Sequence, residues 1–188
     1  VAKFNPNGRL YWLRDIECDG DDSFAAIAQN SKDQTFIAIN YGNAPVALDY
    51  FEYPNIPANK SVFAEISDRI APSWQGANKP ADGAFSNDIF VDNDGFIYVT
   101  GRYQNTVNFA MNGLAPGAAV NGVPAASGSV TSNGNADYFV AKYTNDQKLV
   151  WLRTAGGTTN DEGYSLVVDA ARNVYVACYF QGNNVVIS

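Results

Sequence analysis

Short runs of apolar residues, each broken by a turn rich in Pro, Asn, Asp or Gly, recur along this chain and predict strands joined as hairpins. Val1-Ala2-Lys3-Phe4 leads through Asn5-Pro6-Asn7-Gly8 to Leu10-Tyr11-Trp12-Leu13, a run, a turn and a second run. Ala25 to Ala28, the polar turn Asn30 to Asp33 and Phe36 to Ile39 make the next hairpin. The same order returns in Val62 to Ile66, a strand around Trp74, Asp88 to Val91, the turn Asp92-Asn93-Asp94-Gly95, and Phe96 to Thr100. No segment carries an apolar stripe of period 3.6 for more than two turns, so essentially no helix is expected.

The recurrence is a repeat. Val140, Lys142, Tyr143, Trp151, Arg153 and Asp161 fall on Val1, Lys3, Phe4, Trp12, Arg14 and Asp22 at a constant offset of 139. Phe139-Val140-Ala141, Trp151, Asp169, Tyr175 and Gln181 fall on Val62-Phe63-Ala64, Trp74, Asp92, Tyr98 and Gln104 at an offset of 77. A module repeated at a long period makes an array in which each unit buries its neighbour's face. The units run over about 1–60, 61–136 and 137–188 of one domain. The first link, Asp49 to Ser61, is short and carries Pro54 and Pro57. Its counterpart, Met111 to Tyr138, is longer, and no charged residue lies between Tyr103 and Ala136. Five glycines punctuate that stretch, at 113, 117, 122, 128 and 134, so it reads as an elongated hairpin or an adaptable loop.

Phe139 to Tyr143, Leu149-Val150-Trp151, Gly156-Gly157 with Asp161, Leu166 to Asp169 and Asn173 to Val176 resemble the bacterial-type seven-bladed β-propeller repeat, and Ile89 to Gly101 is closest to its signature. The resemblance implies an all-β fold of four-stranded blades, with the Asp92/Tyr98 hairpin inside and the Lys142/Trp151 hairpin outside. Asn30 stands where other units have Asp92 and Asp169, Arg172 where the middle unit has Gly95, and Glu65 where the others have Lys3 and Lys142. The chain would start on outer strands and end on inner ones. Three units fall short of the four to eight blades of a propeller, so the expectation is a partial propeller or a ring completed by other blades or further copies. Beginning at Val1 inside a unit, the chain reads as a processed product or an excerpt.

A hydrophobic content of 46% with eleven Tyr, eleven Phe and three Trp suits a folded chain. The net charge of −7 and the lack of any Lys/Arg cluster argue against nucleic acid or anionic lipid as partners. No apolar run approaches the ~20 residues of a membrane-spanning helix, and none reads as a signal peptide. Cys178 lies in an apolar run and is expected to be a buried thiol, while pairing with Cys18 stays open.

The absence of histidine removes the commonest general base and most zinc sites. Asp15, Glu17, Asp19, Asp21 and Asp22 surround Gly20 with hard oxygens of the kind calcium takes, against a solvated acidic loop as the alternative. Asp92 to Gly95 reads as a turn rather than a cation site. Asp161 and Glu162 are carboxylates that a glycosidase could use, but nothing fixes them as a pair. Trp12, Trp74 and Trp151 read as packing between units, and Tyr50, Phe51 and Tyr53 as an aromatic contact surface if exposed. Asn59-Lys60-Ser61 fits a glycosylation acceptor. The expectation is a non-catalytic binding or structural module of an extracellular or particle-surface assembly, without a cofactor other than calcium. A carbohydrate-binding module, or a lyase or glycosidase completed by other blades or subunits, stands as the alternative.

Overall fold

The computed structural model describes residues 1–17, 23–40, 47–48, 51–52, 62–66, 77–78, 83–110, 112–182 and 185–187. Among these the secondary structure is strand without helix, as the periodicity requires. In chain order the strands are β1 (Ala2–Phe4), β2 (Leu10–Leu13), β3 (Ile16–Glu17), β4 (Ser23–Gln29), β5 (Thr35–Asn40), β6 (Ala47–Leu48), β7 (Phe51–Glu52), β8 (Val62–Ile66) and β9 (Ala77–Asn78). They continue as β10 (Ala84–Val91), β11 (Ile97–Asn108), β12 (Leu114–Val120), β13 (Val123–Pro124), β14 (Ser129–Tyr143), β15 (Leu149–Gly156), β16 (Asp161–Val168), β17 (Val174–Phe180) and β18 (Val186–Ile187).

Their pairing follows the repeat. One four-stranded sheet runs β4-β5-β8-β9, and a larger sheet contains β10-β11-β14-β15, antiparallel throughout that path. The hairpins β1-β2 and β16-β17 stand as two-stranded sheets, and β3-β6-β7 forms a small third type. The all-β class is therefore as expected, while the sheets among the described residues are open and close no ring. The charge-free link is the elongated hairpin: β11 and β14 extend past the repeat, pairing Thr106 to Asn108 with Thr131 to Ser129, and β12 returns to run parallel to β15.

Five turns share one hydrogen-bonded design. Asn5, Asn30, Asp92, Thr144 and Asp169 each accept the N–H three residues on at their carbonyl and donate their own N–H to the carbonyl four on. Their side-chain oxygens also accept turn amides: Asn30 Oδ1 from Lys32 and Gln34 at 2.9 and 3.1 Å, Asp92 Oδ1 from Asp94 and Phe96 at 3.0 and 2.9 Å, and Asp169 Oδ1 from Asn173 at 2.8 Å. An acceptor oxygen is all that the position demands, so Asn30 replaces aspartate without loss. The residue three further on has positive φ in every case: Gly8 at 78°, Asp33 at 60°, Gly95 at 88°, Gln147 at 61° and Arg172 at 66°. Arg172 thus occupies the same left-handed position as Gly95, at a steric cost that glycine avoids.

The core joins the first four-stranded sheet to the second. Phe36 and Phe63 of one pack with Ile89, Ile97, Val99, Phe139, Leu149 and Leu152 of the other, all buried. Phe63 and Tyr143 meet ring to ring at 4.9 Å, and Phe109 from the long hairpin meets Phe139 at 4.7 Å. Gly95→Ala should cost about 1–2 kcal/mol, because its turn holds the left-handed conformation, whereas Arg172→Gly should cost nothing comparable. Urea unfolding of both variants checks this, and an unchanged midpoint for Gly95→Ala would contradict it.

Candidate functional site

The hairpins β4-β5, β10-β11 and β16-β17 each carry an irregularity at the same place. The ladders shift between Phe24 and Ala26, between Ser86 and Asp88, and between Gly163 and Ser165. A bulge frees one residue from the ladder and re-aims its neighbours, and side chains at or opposite these bulges bond the next unit. Asn40 donates to the Ser86 carbonyl at 2.7 Å and accepts the Ser86 N–H at 3.0 Å. Asn87 donates to Glu162 Oε1 and to the Gly163 carbonyl, both at 2.8 Å. Asp88 Oδ2 accepts from Ser165 Oγ and from the Leu166 N–H, also at 2.8 Å. A Cβ on Gly163 would lie 2.2 Å from Thr100 Oγ1, so only glycine lets β16 approach β11 this closely.

Beside these bonds lies a polar cleft of about 280 Å³, walled by Phe85, Arg102, Gln104, Glu162, Tyr164 and Tyr179 among others. Arg102 lies over the Phe85 ring at 4.8 Å and pairs with Glu162 at 3.4 Å. Asp161 and Glu162 do not converge, because successive strand residues point to opposite faces. Asp161 is fully buried, and its two oxygens accept the Gly157 and Gln181 amides at 2.7 and 2.9 Å. Arg102, Asn87 and Tyr179 were not marked by the sequence pattern, since they vary among units. The recurrence of Gln104 and Gln181 and the carboxylates Asp161 and Glu162 pointed toward this end of the strands.

At the other end of these hairpins, their three turns gather around a cavity of about 330 Å³. Asn30 donates to the Asp92 carbonyl at 3.4 Å, the Ser31 N–H to Asn93 Oδ1 at 3.2 Å, and Arg172 pairs with Asp94. Asp92 is engaged by turn amides and, at 3.2 Å, by the Tyr98 hydroxyl, which makes the turn reading the right one. Across the sheet, Tyr98, Lys142 and Trp151 form a row in register. Lys142 Nζ stands 3.9 Å from the Phe96 centroid and 5.0 Å from that of Tyr98. Burial lowers the Lys142 pKa, and the Asp92 charge opposes that shift. Burial, then Asp92, raises that of Tyr98.

Trp151 is half-buried, packs edge-on to Tyr98 at 6.2 Å and joins Val174 and Val176 of the hairpin β16-β17, so it packs between two sheets. Trp12 is half-buried too, and Trp74 lies outside the described residues. Of the proposed calcium ligands, Asp15 is exposed and Glu17 lies on β3, whereas Asp19, Asp21 and Asp22 lie outside the described residues. Among the described residues no group of three or more acidic or cysteine side chains is placed to hold a metal. Phe51 begins β7 and pairs with Leu48, while Tyr50, Tyr53, Cys18 and Asn59-Lys60-Ser61 lie outside the described residues. Cys178 corrects the sequence reading: it is exposed, since among the described residues β17 pairs only with β16.

Compared with models of known protein families and with curated proteins, the chain matches none.

Among the described residues the Tyr143 hydroxyl and one oxygen of Asp137 are buried without a hydrogen-bond partner. Asp137 Oδ2 accepts the Asn133 N–H at 3.0 Å, but Oδ1 is buried without a partner. Burial raises the Asp137 pKa, the Asn133 bond opposes this, and nearby Asp161 raises it further. A carboxyl whose folded pKa lies above its unfolded value loses stability as pH rises through that interval. Asp137→Asn should therefore unfold at higher urea than the parent at pH 7, with the difference shrinking below the ordinary carboxylate range. Equal differences at both pH values would contradict the assignment.

Proposed function

We propose that the chain is a non-catalytic repeat module of β-propeller type, serving binding or structure in an extracellular or particle-surface assembly. The observation that carries this reading is where the repeated polar groups go. Asp92, Asp161 and Asp169 accept backbone amides, and Asp88 and Asn87 bond the neighbouring unit. Groups committed in this way hold architecture together, and these carboxylates are not free for proton transfer. Glu162, the acid facing the polar cleft, is held by Asn87 and Arg102.

The sheets β4-β5-β8-β9 and β10-β11-β14-β15 are read as blades, with β16-β17 the inner half of a third. Their partners are proteins or further copies completing the array; charge argues against nucleic acid, and no described helix is long and apolar enough to cross a membrane. Carbohydrate binding is the second reading, favoured by Tyr164 and Tyr179 flanking Gln104, Arg102 and Glu162 in one cleft. Calcium at the acidic run from Asp15 to Asp22 belongs to this proposal as its one candidate ion.

A panel of acidic and neutral polysaccharides, assayed for new reducing ends and for unsaturated products, should show no turnover with this chain. Turnover abolished by Glu162→Gln would overturn the non-catalytic reading. On the second reading, binding without turnover should weaken at least tenfold in Tyr179→Ala. Calcium at millimolar concentration should raise the melting temperature by mass action if the acidic run holds it; an unmoved transition would remove that ion.

A further inference from the structure

Asn7, Asn112, Asn121 and Asn133 each precede a glycine. Asparagine is a chemically labile residue, and most labile in that setting. The backbone nitrogen of the following residue can attack the side-chain carbonyl carbon, and glycine has no Cβ to obstruct the approach. Two conditions must be met by the fold: the amide side chain has to be able to turn, and the following N–H must not be held in a hydrogen bond. The sequence alone rates these sites alike.

The structure separates them. Gly8 N–H donates to the Asn5 carbonyl and Gly113 N–H to the Ala110 carbonyl, both at 2.9 Å, so at Asn7 and Asn112 the attacking nitrogen is engaged in a turn. At Asn121 the side chain is clamped: Nδ2 donates to Thr154 Oγ1 at 3.1 Å, and Oδ1 accepts the Thr154 N–H at 3.0 Å. Asn133 differs on both counts. In the β11-β14 ladder Gln104 faces Ala136 and Thr106 faces Thr131, so Asn105 alone stands opposite residues 132–135 and no ladder partner faces Asn133 or Gly134. Asn105 N–H donates instead to the Ser132 hydroxyl at 3.0 Å. Asn133 is exposed, and among the described residues its bond is made by the backbone, from its N–H to Asp137 Oδ2 at 3.0 Å, and none by its side-chain amide. Gly134, at φ 119°, has to be glycine, because a Cβ there would lie 2.5 Å from the Thr158 carbonyl oxygen.

We propose that Asn133 is a self-modification site, at which the folded chain converts an asparagine of its charge-free hairpin to aspartate and isoaspartate. The Gly134 nitrogen gives its proton to hydroxide and bonds to Asn133 Cγ. The bond from Cγ to Nδ2 then breaks, and Nδ2 takes a proton from water and leaves as ammonia, which regenerates the hydroxide and leaves a cyclic imide. Water opens the imide at either carbonyl, giving aspartate or isoaspartate, so the balance is water taken up and ammonia released. The consequence follows from the place. The stretch between Tyr103 and Ala136 holds no charged residue, and the new carboxylate arises beside Asp137, a buried carboxyl that accepts the Asn133 N–H. Isoaspartate also adds a carbon to the main chain after residue 133, between the two ends of that bond. Both products therefore loosen the long hairpin at its base.

Trypsin releases 4–9 and 103–142 as peptides, and fragmentation of the second assigns conversion to residue 112, 121 or 133 by mass. In the folded chain at mildly alkaline pH, conversion at Asn133 should outrun that at Asn7, Asn112 and Asn121 by about tenfold or more, and it should slow in mild acid, where hydroxide is scarce. In concentrated urea the sites should convert at similar rates, because the fold no longer separates them. An isoaspartate-specific methyltransferase should label the 103–142 peptide of the aged chain. Asn133→Gln should remove that label while keeping the circular dichroism and melting temperature of the parent. No conversion at Asn133 in the folded chain, equal rates at all the sites in the folded chain, or conversion led by the clamped Asn121 overturns the proposal.

Discussion

The antiparallel ladder between β11 and β14 is the constraint on which the rest of the structure depends. It binds the hairpin β10-β11 to the hairpin β14-β15, and it sets the row of Tyr98, Lys142 and Trp151 in register. Its two faces serve two neighbours. Ile97, Val99, Phe139 and Ala141 are buried in the core shared with the first four-stranded sheet, while Tyr138 and Val140 lie beneath Val174 and Val176 of the last hairpin. Where the ladder is missing, as at β17, large side chains stand exposed.

Packing of apolar faces would allow the sheets to slide, and polar groups at both ends of the inner strands prevent it. At one end Asn40, Asn87 and Asp88 reach from one unit to backbone groups of another. At the other, the turns are cross-linked by Asn30, Asn93 and the Asp94–Arg172 pair. Such bonds are directional, so they select one stagger between sheets. They also explain the recurrence of Asp and Asn better than a catalytic role does. Asp137 is the exception, a buried carboxyl whose second oxygen has no partner.

The functional proposals draw on different parts of this frame. The non-catalytic reading follows from carboxylates already committed to amides. The polar cleft beside Glu162 is the place where a sugar would meet Tyr164 and Tyr179.

The strands and their turns were legible because both are local. Alternation marks a half-buried strand, and the Asn or Asp acceptor with a left-handed residue three later closes a hairpin whichever unit it sits in. Even the departures at Asn30 and Arg172 fit that local geometry. The bulges at residues 25, 87 and 164 were not legible, since an unpaired residue leaves no mark in a pattern of apolar alternation. With them went the bonds of Asn87 and Asp88, the cleft at Arg102 and Glu162, and the exposure of Cys178. By itself the sequence determined a repeated all-β chain with hairpins at fixed offsets, because side-chain alternation and turn chemistry are set by neighbours along the chain. Only the tertiary structure decided which hairpins are zipped into sheets and which edges stay open, because that depends on partners far apart in sequence.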